Sequence, residues 1–247
     1  MPVPGYLIPY ILIGTVAIVT TVLFGLHRAL KRAQWPDQDR RLAFRSIAAL
    51  LVGWYLATLL LAWLEFYRGA ATRIPTIQIG LLVPVIVGVL LIWRWELLRR
   101  VIDAVPQEWI VGVQFYRALG LMFLILYAVG RLPGAFALPA GIGDVFVGVV
   151  APFVGLAYSR NPHNAVGLVR AWNWFGIIDL IVAVGTGFLT SPSPLQMLSF
   201  DAPNELISAF PLVMVPVFLV PFSILLHLAS LKKLRYRVRP GAGTAPT

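Results

Sequence analysis

Apolar residues in this chain fall into long blocks, separated by short segments that carry most of the charge. A helix needs about 20 residues to cross roughly 30 Å of hydrocarbon, and the strands of a membrane barrel would alternate polar and apolar residues, which these blocks do not. The pattern predicts an all-α integral membrane protein, a single seven-transmembrane-helix bundle over residues 1–231. The predicted spans are 6–27, 43–66, 77–95, 109–130, 141–158, 165–189 and 206–231.

Composition supports a membrane protein. The 247 residues are 59% hydrophobic and only 12% charged, whereas an ordinary soluble domain carries about 25% charged residues. The absence of cysteine excludes disulfides, thiolate metal sites and iron–sulfur clusters. No basic region precedes the first apolar block, as it would in a secretory signal, so we expect that block to be retained as a span.

The basic residues predict an orientation. Sixteen of the 20 Lys and Arg residues lie in alternate connections, at 28–45, 94–108, 159–170 and 232–247. The positive-inside rule then places the N-terminus outside and the C-terminus in the cytoplasm, with 232–247 as a basic, then flexible tail. Because these charges flank spans, we expect contact with anionic lipids at the cytoplasmic face and no nucleic acid. The expected location is a bacterial-type cell inner membrane.

Polar residues inside the apolar blocks are the candidates for function. An Arg or Asp at the centre of a bilayer costs about 2.5–3.5 kcal/mol, so such residues usually pair or line a cavity. Gln114 and Arg117 are three residues apart and should share one face of the fourth span. Counting residues along the helices places Asn173 level with Arg117, and Asp179 one to two turns further out, within reach of the arginine.

The segment 132–144 contains two prolines and several glycines, which argue against a continuous helix. We therefore expect irregular backbone that dips against the bundle, with Asp144 in the first turn of the fifth span, where the helix dipole favours an acid. The predicted ligand-binding residues are Gln114, Arg117, Asp144, Asn173 and Asp179. The alternative is that Asp144 only caps a helix while Arg117 and Asp179 only join two spans.

Three histidines, His27, His163 and His227, all lie toward the predicted cytoplasmic side. His27 and His227 differ in depth by about one turn, so they are alternative ligands for haem b, while His163 fits a solvated turn. The seventh span contains prolines at intervals of five. Either this span faces the interior of the bundle, because the carbonyls they free need partners there, or the prolines only shape helix packing.

These observations favour a protein that binds or transports a small polar or ionic ligand, with proton coupling as one form of that activity. The ligand is not identified, and no cofactor or metal is expected. The alternatives are a membrane-embedded haem or redox protein, and a non-catalytic scaffold or sensor subunit. An enzyme is less favoured, since no paired carboxylate motif for acid–base work is present. A homo- or hetero-oligomer is left open.

Overall fold

The protein is described here by a computed structural model that covers residues 3–69 and 75–237. Within these ranges there is no strand, and seven helices are long and apolar enough to cross a membrane, the number that the hydrophobic pattern predicts. In chain order the helices are α1 (Leu7–Arg32), α2 (Asp37–Trp63), α3 (Ile77–Arg94), the short α4 (Glu96–Ala104), α5 (Gln107–Ala128), α6 (Gly134–Arg160), α7 (Pro162–Thr190) and α8 (Val215–Leu219, continued by Val220–Arg237).

The outside of the bundle is apolar. Ile13 in α1 is 69% exposed, Phe153 in α6 is 67% exposed and Ile181 in α7 is 62% exposed. Soluble monomers rarely expose apolar surface on this scale. The bundle is therefore compatible with a membrane protein whose outer faces contact lipid.

The helix ends differ from the predicted spans at the basic connections. Most of the predicted loop 28–45 is helical, and the predicted loop 94–108 contains α4, which the hydrophobic pattern misses because charged residues interrupt it. The chain also stays helical to Arg237, whereas the prediction begins a tail at 232. Lys232 and Lys233 are buried, and Lys233 donates to the Asp103 carbonyl at 2.8 Å. The remainder of the predicted tail, 238–247, lies outside the described residues.

The segment 132–144 corrects a prediction. It is not irregular backbone, because α6 begins at Gly134 and runs through Pro139 without interruption. Pro139 removes one hydrogen bond close to the start of the helix. Phe136, Ala137 and Ala140 are buried in the main hydrophobic core, and this burial offsets the missing bond.

Helix α6 packs closely on α5 through glycines. Four glycines recur every seventh residue along α6 and face α5, and a Cβ on any of them would come within 3 Å of it. The closest case is Gly148, where a Cβ would lie 2.3 Å from the backbone nitrogen of Ala118. Small residues at such positions let helix backbones approach in membranes. The four are Gly134, Gly141, Gly148 and Gly155.

Helix α8 occupies the interior of the bundle, the first of the two alternatives for its prolines. Of the most apolar stretch of α8, 56% is buried, against 17% for α3, and α8 packs against α3, α5 and α7. The helix begins at Val215 rather than at 206, with Pro216 in its π-helical first turn. The preceding segment 206–214 is largely buried but is not regular helix.

Candidate functional site

Arg117 lies on a stretch of 3₁₀-helix, Val113–Gly120, within α5. A 3₁₀-helix has three residues per turn, so side chains at i and i+3 lie directly above one another. Gln114, Arg117 and Gly120 therefore face the interior on one line, and the predicted shared face of Gln114 and Arg117 is present. The side chain of Arg117 is 2% exposed.

Two carboxylates bind the guanidinium of Arg117. Its Nε donates to Oδ1 of Asp144 at 2.8 Å, and its Nη2 lies 2.7 Å from the same oxygen. Nη2 also donates to Oδ2 of Asp179, so the predicted contact between Arg117 and Asp179 is present. The side chains of Asp144 and Asp179 are 13% and 8% exposed. One buried guanidinium therefore faces two nearly buried carboxyl groups.

The third nitrogen of Arg117 also has acceptors. Nη1 donates to the carbonyl of Gly176 at 3.3 Å and lies 3.3 Å from Nε2 of His227. Arginine has donors only. The contacts above give each of its three nitrogens an acceptor. A ligand anion would have to displace one of these groups to reach Arg117.

The hydrogen bonds define the protonation of His227, which is buried. Its Nε2 must accept, because the neighbouring Arg117 nitrogen has only protons to offer. Its Nδ1 lies 2.9 Å from Oδ1 of Asn173, and the amide nitrogen of Asn173 donates to Val169 and Ser230, so Oδ1 accepts from His227. These partners assign a neutral ring that carries its proton on Nδ1.

The polar contacts continue toward the basic end of the bundle. Asn173 donates to Oγ of Ser230 at 2.8 Å, and Gln107 donates to the same oxygen at 2.6 Å. A hydrogen-bonded chain thus leads from Arg117 through His227, Asn173 and Ser230 to Gln107. Asn173 is part of the cluster as predicted, but it contacts Arg117 through His227 rather than directly.

Gln114 joins a neighbouring polar group. Its amide donates to the carbonyl of Ser223 at 3.2 Å, and the hydroxyls of Tyr116 and Ser223 lie 2.5 Å apart. The amide oxygens of Gln107 and Gln114 are buried and have no hydrogen-bond partner within the described part of the chain. Buried carbonyl oxygens of this kind usually bind water.

Three glycines make room for the charged residues. A Cβ on Gly143 would lie 1.6 Å from Oδ1 of Asp179, and one on Gly176 would lie 2.4 Å from the ring of His227. A Cβ on Gly120 would lie 2.4 Å from that of Asp144. The cluster fits between α5, α6, α7 and α8 because these positions lack side chains.

Asp144 borders two small cavities. The first, of about 40 Å³, is bordered by Tyr10, Tyr116, Arg117 and Asp144; a water needs roughly 10–15 Å³, so it has room for about three. The second, of about 80 Å³, is mostly apolar and extends from Asp144 to Ser191 at the end of α7. Asp144 is the acid of the cluster that borders both.

The position of Asp144 corrects a second prediction. It is not in the first turn of its helix, because α6 begins ten residues earlier, at Gly134. It therefore does not cap the helix, and its partner is Arg117. His227, expected only as an alternative haem ligand, is also part of the cluster. A signal for it exists in the sequence, since Ser223, His227 and Ser230 are spaced at i, i+4 and i+7 on one face of an apolar helix.

The other histidines lie elsewhere. His27 is exposed near the end of α1, its ring 5.6 Å from that of Phe44, and His163 is exposed at the start of α7. Both ring nitrogens of His227 have partners, so iron ligation would require breaking one of these contacts. Haem ligation by His27 and His227 stays a prediction.

The fold and the cluster together define an apolar helical bundle with a buried arginine, which is compatible with a multi-pass membrane protein. The chain belongs to a family described as a domain of unknown function, DUF8737, whose model matches residues 74–235. The match covers α3 to α8, and therefore every residue of the cluster. No curated protein and no solved structure matches the chain.

Proposed function

We propose that this membrane protein binds or transports a small polar or ionic ligand at the cluster of Arg117, Asp144, Asp179 and His227. The species taken up there is a cation, and a proton is the simplest one. The proposal includes an N-terminus outside, a C-terminus in the cytoplasm and a bacterial-type inner membrane, because the basic residues are concentrated in alternate connections.

The observation that carries this proposal is the charge of the cluster. One guanidinium contacts two carboxylates, and the hydrogen bonds of His227 require a neutral ring. With both acids ionised the cluster carries one net negative charge. An uncompensated charge inside a bilayer costs about 2.5–3.5 kcal/mol, so binding one proton or small cation offsets that cost.

The same geometry disfavours an anionic ligand. All three nitrogens of Arg117 already have acceptors, and an anion would add to the negative charge. A proton suits the site better than a metal ion, because within residues 3–69 and 75–237 no group of three or more His, Asp or Glu side chains is placed to hold a metal.

The cavities suggest how a proton reaches the site. Asp144 borders both of them, whereas the chain from His227 to Gln107 begins at Arg117, and arginine does not release its proton. A simple relay across the whole bundle is therefore excluded by chemistry. Transport would need the carboxyl group of Asp144 or Asp179 to be accessible first from one side of the membrane and then from the other, as in alternating access.

Infrared difference spectroscopy of the protein in lipid nanodiscs tests proton uptake. We expect a protonated-carboxyl band that shifts on ¹³C-aspartate labelling and disappears in Asp144→Asn or Asp179→Asn. Asp201→Asn, at an exposed aspartate outside the helices, is the matched control and should keep the band. Absence of the band across the neutral pH range in the wild-type protein would contradict the proposal.

Vesicle experiments test transport. Proteoliposomes with an internal pH dye and a potassium diffusion potential should show proton flux that Asp144→Asn abolishes and Asp201→Asn preserves. A carboxyl band without flux would support binding alone, as in a sensor.

The competing function is a non-catalytic scaffold, favoured by one specific observation. Arg117 joins α5 to α6, α7 and α8 through partners that use all its nitrogens. In that case the cluster only bonds the helices to one another. Replacing Arg117, Asp144 and Asp179 together by neutral residues should then preserve both the fold and the scaffold function.

A further inference from the structure

A third cavity, of a different kind, lies near the basic end of the bundle. It has a volume of about 610 Å³ and is bordered by α1, α2, α4, α5 and α8. Ligand pockets typically measure 300–1,000 Å³ and are mostly apolar. The lining here is largely apolar and includes Val22, Phe24, Ile47, Val101, Ile110 and Leu226.

The charged residues of this cavity lie at one end. Arg28 borders it, with its guanidinium carbon 4.9 Å from the centre of the Phe24 ring. Arg32, one turn further, lies 5.5 Å from the ring of Trp109, which also borders the cavity. Both arginines are exposed. Cation–π contacts hold such guanidinium groups in place and leave their edges free for an anion.

The sequence of α1 explains this arrangement. Thr21, Gly25, Arg28 and Arg32 are spaced by four, three and four residues, so they lie on one face of the helix. Between Gly25 and Arg32 the helix rises about 10 Å. Along the cavity this face carries the small, uncharged residues Thr21 and Gly25, and at its end it carries two arginines. A phospholipid changes in the same direction, from an uncharged acyl chain to a charged headgroup.

We propose that this groove binds one anionic phospholipid, with an acyl chain between α1 and α5 and the phosphate at Arg28 and Arg32. This site is separate from the cluster at Arg117 and goes beyond the proposed function. Glu108 also borders the groove, and two arginines against one glutamate leave one positive charge for the headgroup. The apolar lining requires an acyl chain, which a free phosphate lacks.

Two glycines allow the groove to be blocked. Gly25 and Gly112 both border the cavity, and a Cβ at either position has nothing within 4 Å. Gly112→Leu should therefore extend into the path of the acyl chain, since its Cβ meets no neighbouring atom. Gly53→Leu is the matched control, because Gly53 in α2 also has nothing within 4 Å but does not border the groove.

Native mass spectrometry of delipidated protein tests the proposal. Phosphatidylglycerol and phosphatidylcholine with the same acyl chains are titrated into separate samples. We expect one phosphatidylglycerol per chain, bound at least about tenfold more tightly than phosphatidylcholine, which corresponds to about 1.4 kcal/mol. Gly112→Leu and the double variant Arg28→Gln/Arg32→Gln should each weaken this binding about tenfold, and Gly53→Leu should not.

The proposal is overturned if Gly112→Leu or the double arginine variant binds phosphatidylglycerol as the wild type does. It is also overturned if phosphatidylcholine binds equally well, or if glycerol phosphate competes at the same concentration, since the headgroup alone would then suffice. The unfolding temperature of each variant in detergent checks its fold. If Gly112→Leu unfolds early, the arginine variant and the competition experiment decide.

Discussion

Gly143 and Asp179 lie so close that a single added carbon would overlap the carboxylate. A Cβ built on Gly143 falls 1.6 Å from Oδ1 of Asp179, although the two residues come from different helices and are 36 positions apart. The absence of a side chain on α6 is thus the condition for Asp179 to reach Arg117. The charged cluster depends on glycines as much as on its charged residues.

Gly143→Ala should displace Asp179 from Arg117. Overpacking in a well-packed interior costs about 1–3 kcal/mol, so we expect a lower unfolding temperature in detergent and loss of proton uptake. Gly185→Ala, in α7 at a position where a Cβ meets nothing within 4 Å, is the control. An unchanged unfolding temperature and carboxyl band in Gly143→Ala would show that the two helices separate easily.

Arg117→Gln should destabilise the protein strongly. It leaves two nearly buried carboxylates without their cation, and removing one partner of a buried ion pair costs about 3–5 kcal/mol. The triple variant Arg117→Gln/Asp144→Asn/Asp179→Asn should recover much of this loss, because no net charge stays buried. The measurement is thermal unfolding together with the yield of monodisperse protein.

The outcome of that series also separates the two functions. If the triple variant folds but shows no proton uptake, the charges serve the proposed function. If the triple variant folds and still takes up protons, the charges of the cluster only join helices.

His227 should be neutral, with its proton on Nδ1. The reason is that Nε2 faces Arg117 at 3.3 Å and Nδ1 faces the Asn173 oxygen at 2.9 Å. Nitrogen NMR of ¹⁵N-histidine-labelled protein distinguishes the two tautomers, and His227→Gln assigns the signal. Asn173→Ala should weaken this preference and cost about 1–3 kcal/mol, since Nδ1 loses its acceptor. A charged ring or a proton on Nε2 in the wild type would refute the assignment.

Single cysteines should report the orientation. The chain has no cysteine, so His163→Cys and Asp201→Cys each add a unique and exposed thiol position. In intact cells a membrane-impermeant maleimide should label Asp201→Cys at once and His163→Cys only after permeabilisation. The positive-inside distribution is the reason, and the reverse labelling pattern would invert the proposed topology.

The local pattern of apolar residues predicts the number of long helices correctly, but it predicts where they begin and end less well. The apolar blocks predict seven long helices, because lipid demands about 20 apolar residues from each span independently of its neighbours. Local rules misjudge 132–144, where Pro139 and the glycines argue against a helix. The structure keeps α6 continuous there because Phe136 and Ala140 are buried and because Gly141 lets α6 approach α5, where an added Cβ would lie 2.6 Å from Leu124. This packing involves residues outside the segment, which its local pattern does not report.

The same division applies to the site. Rise per residue was enough to predict that Arg117 reaches Asp179, since both depths follow from counting along single helices. The prediction that Asp144 lies in the first turn of its helix is wrong, because that position depends on where α6 begins. His227 was not assigned to the cluster, because depth alone does not say which face of α8 turns toward Arg117.

The local sequence of each segment is enough to predict a helical bundle with seven apolar helices, basic residues in alternate connections, and a buried arginine that needs acceptors inside the bundle. These follow from hydrophobic length and from the cost of a buried charge, which act on each segment separately. The partners of Arg117, two carboxyl groups and a neutral histidine, follow only from the packing of the helices. That choice depends on how closely α6 and α7 approach at Gly143 and Gly176, a property of helix packing that no single segment contains.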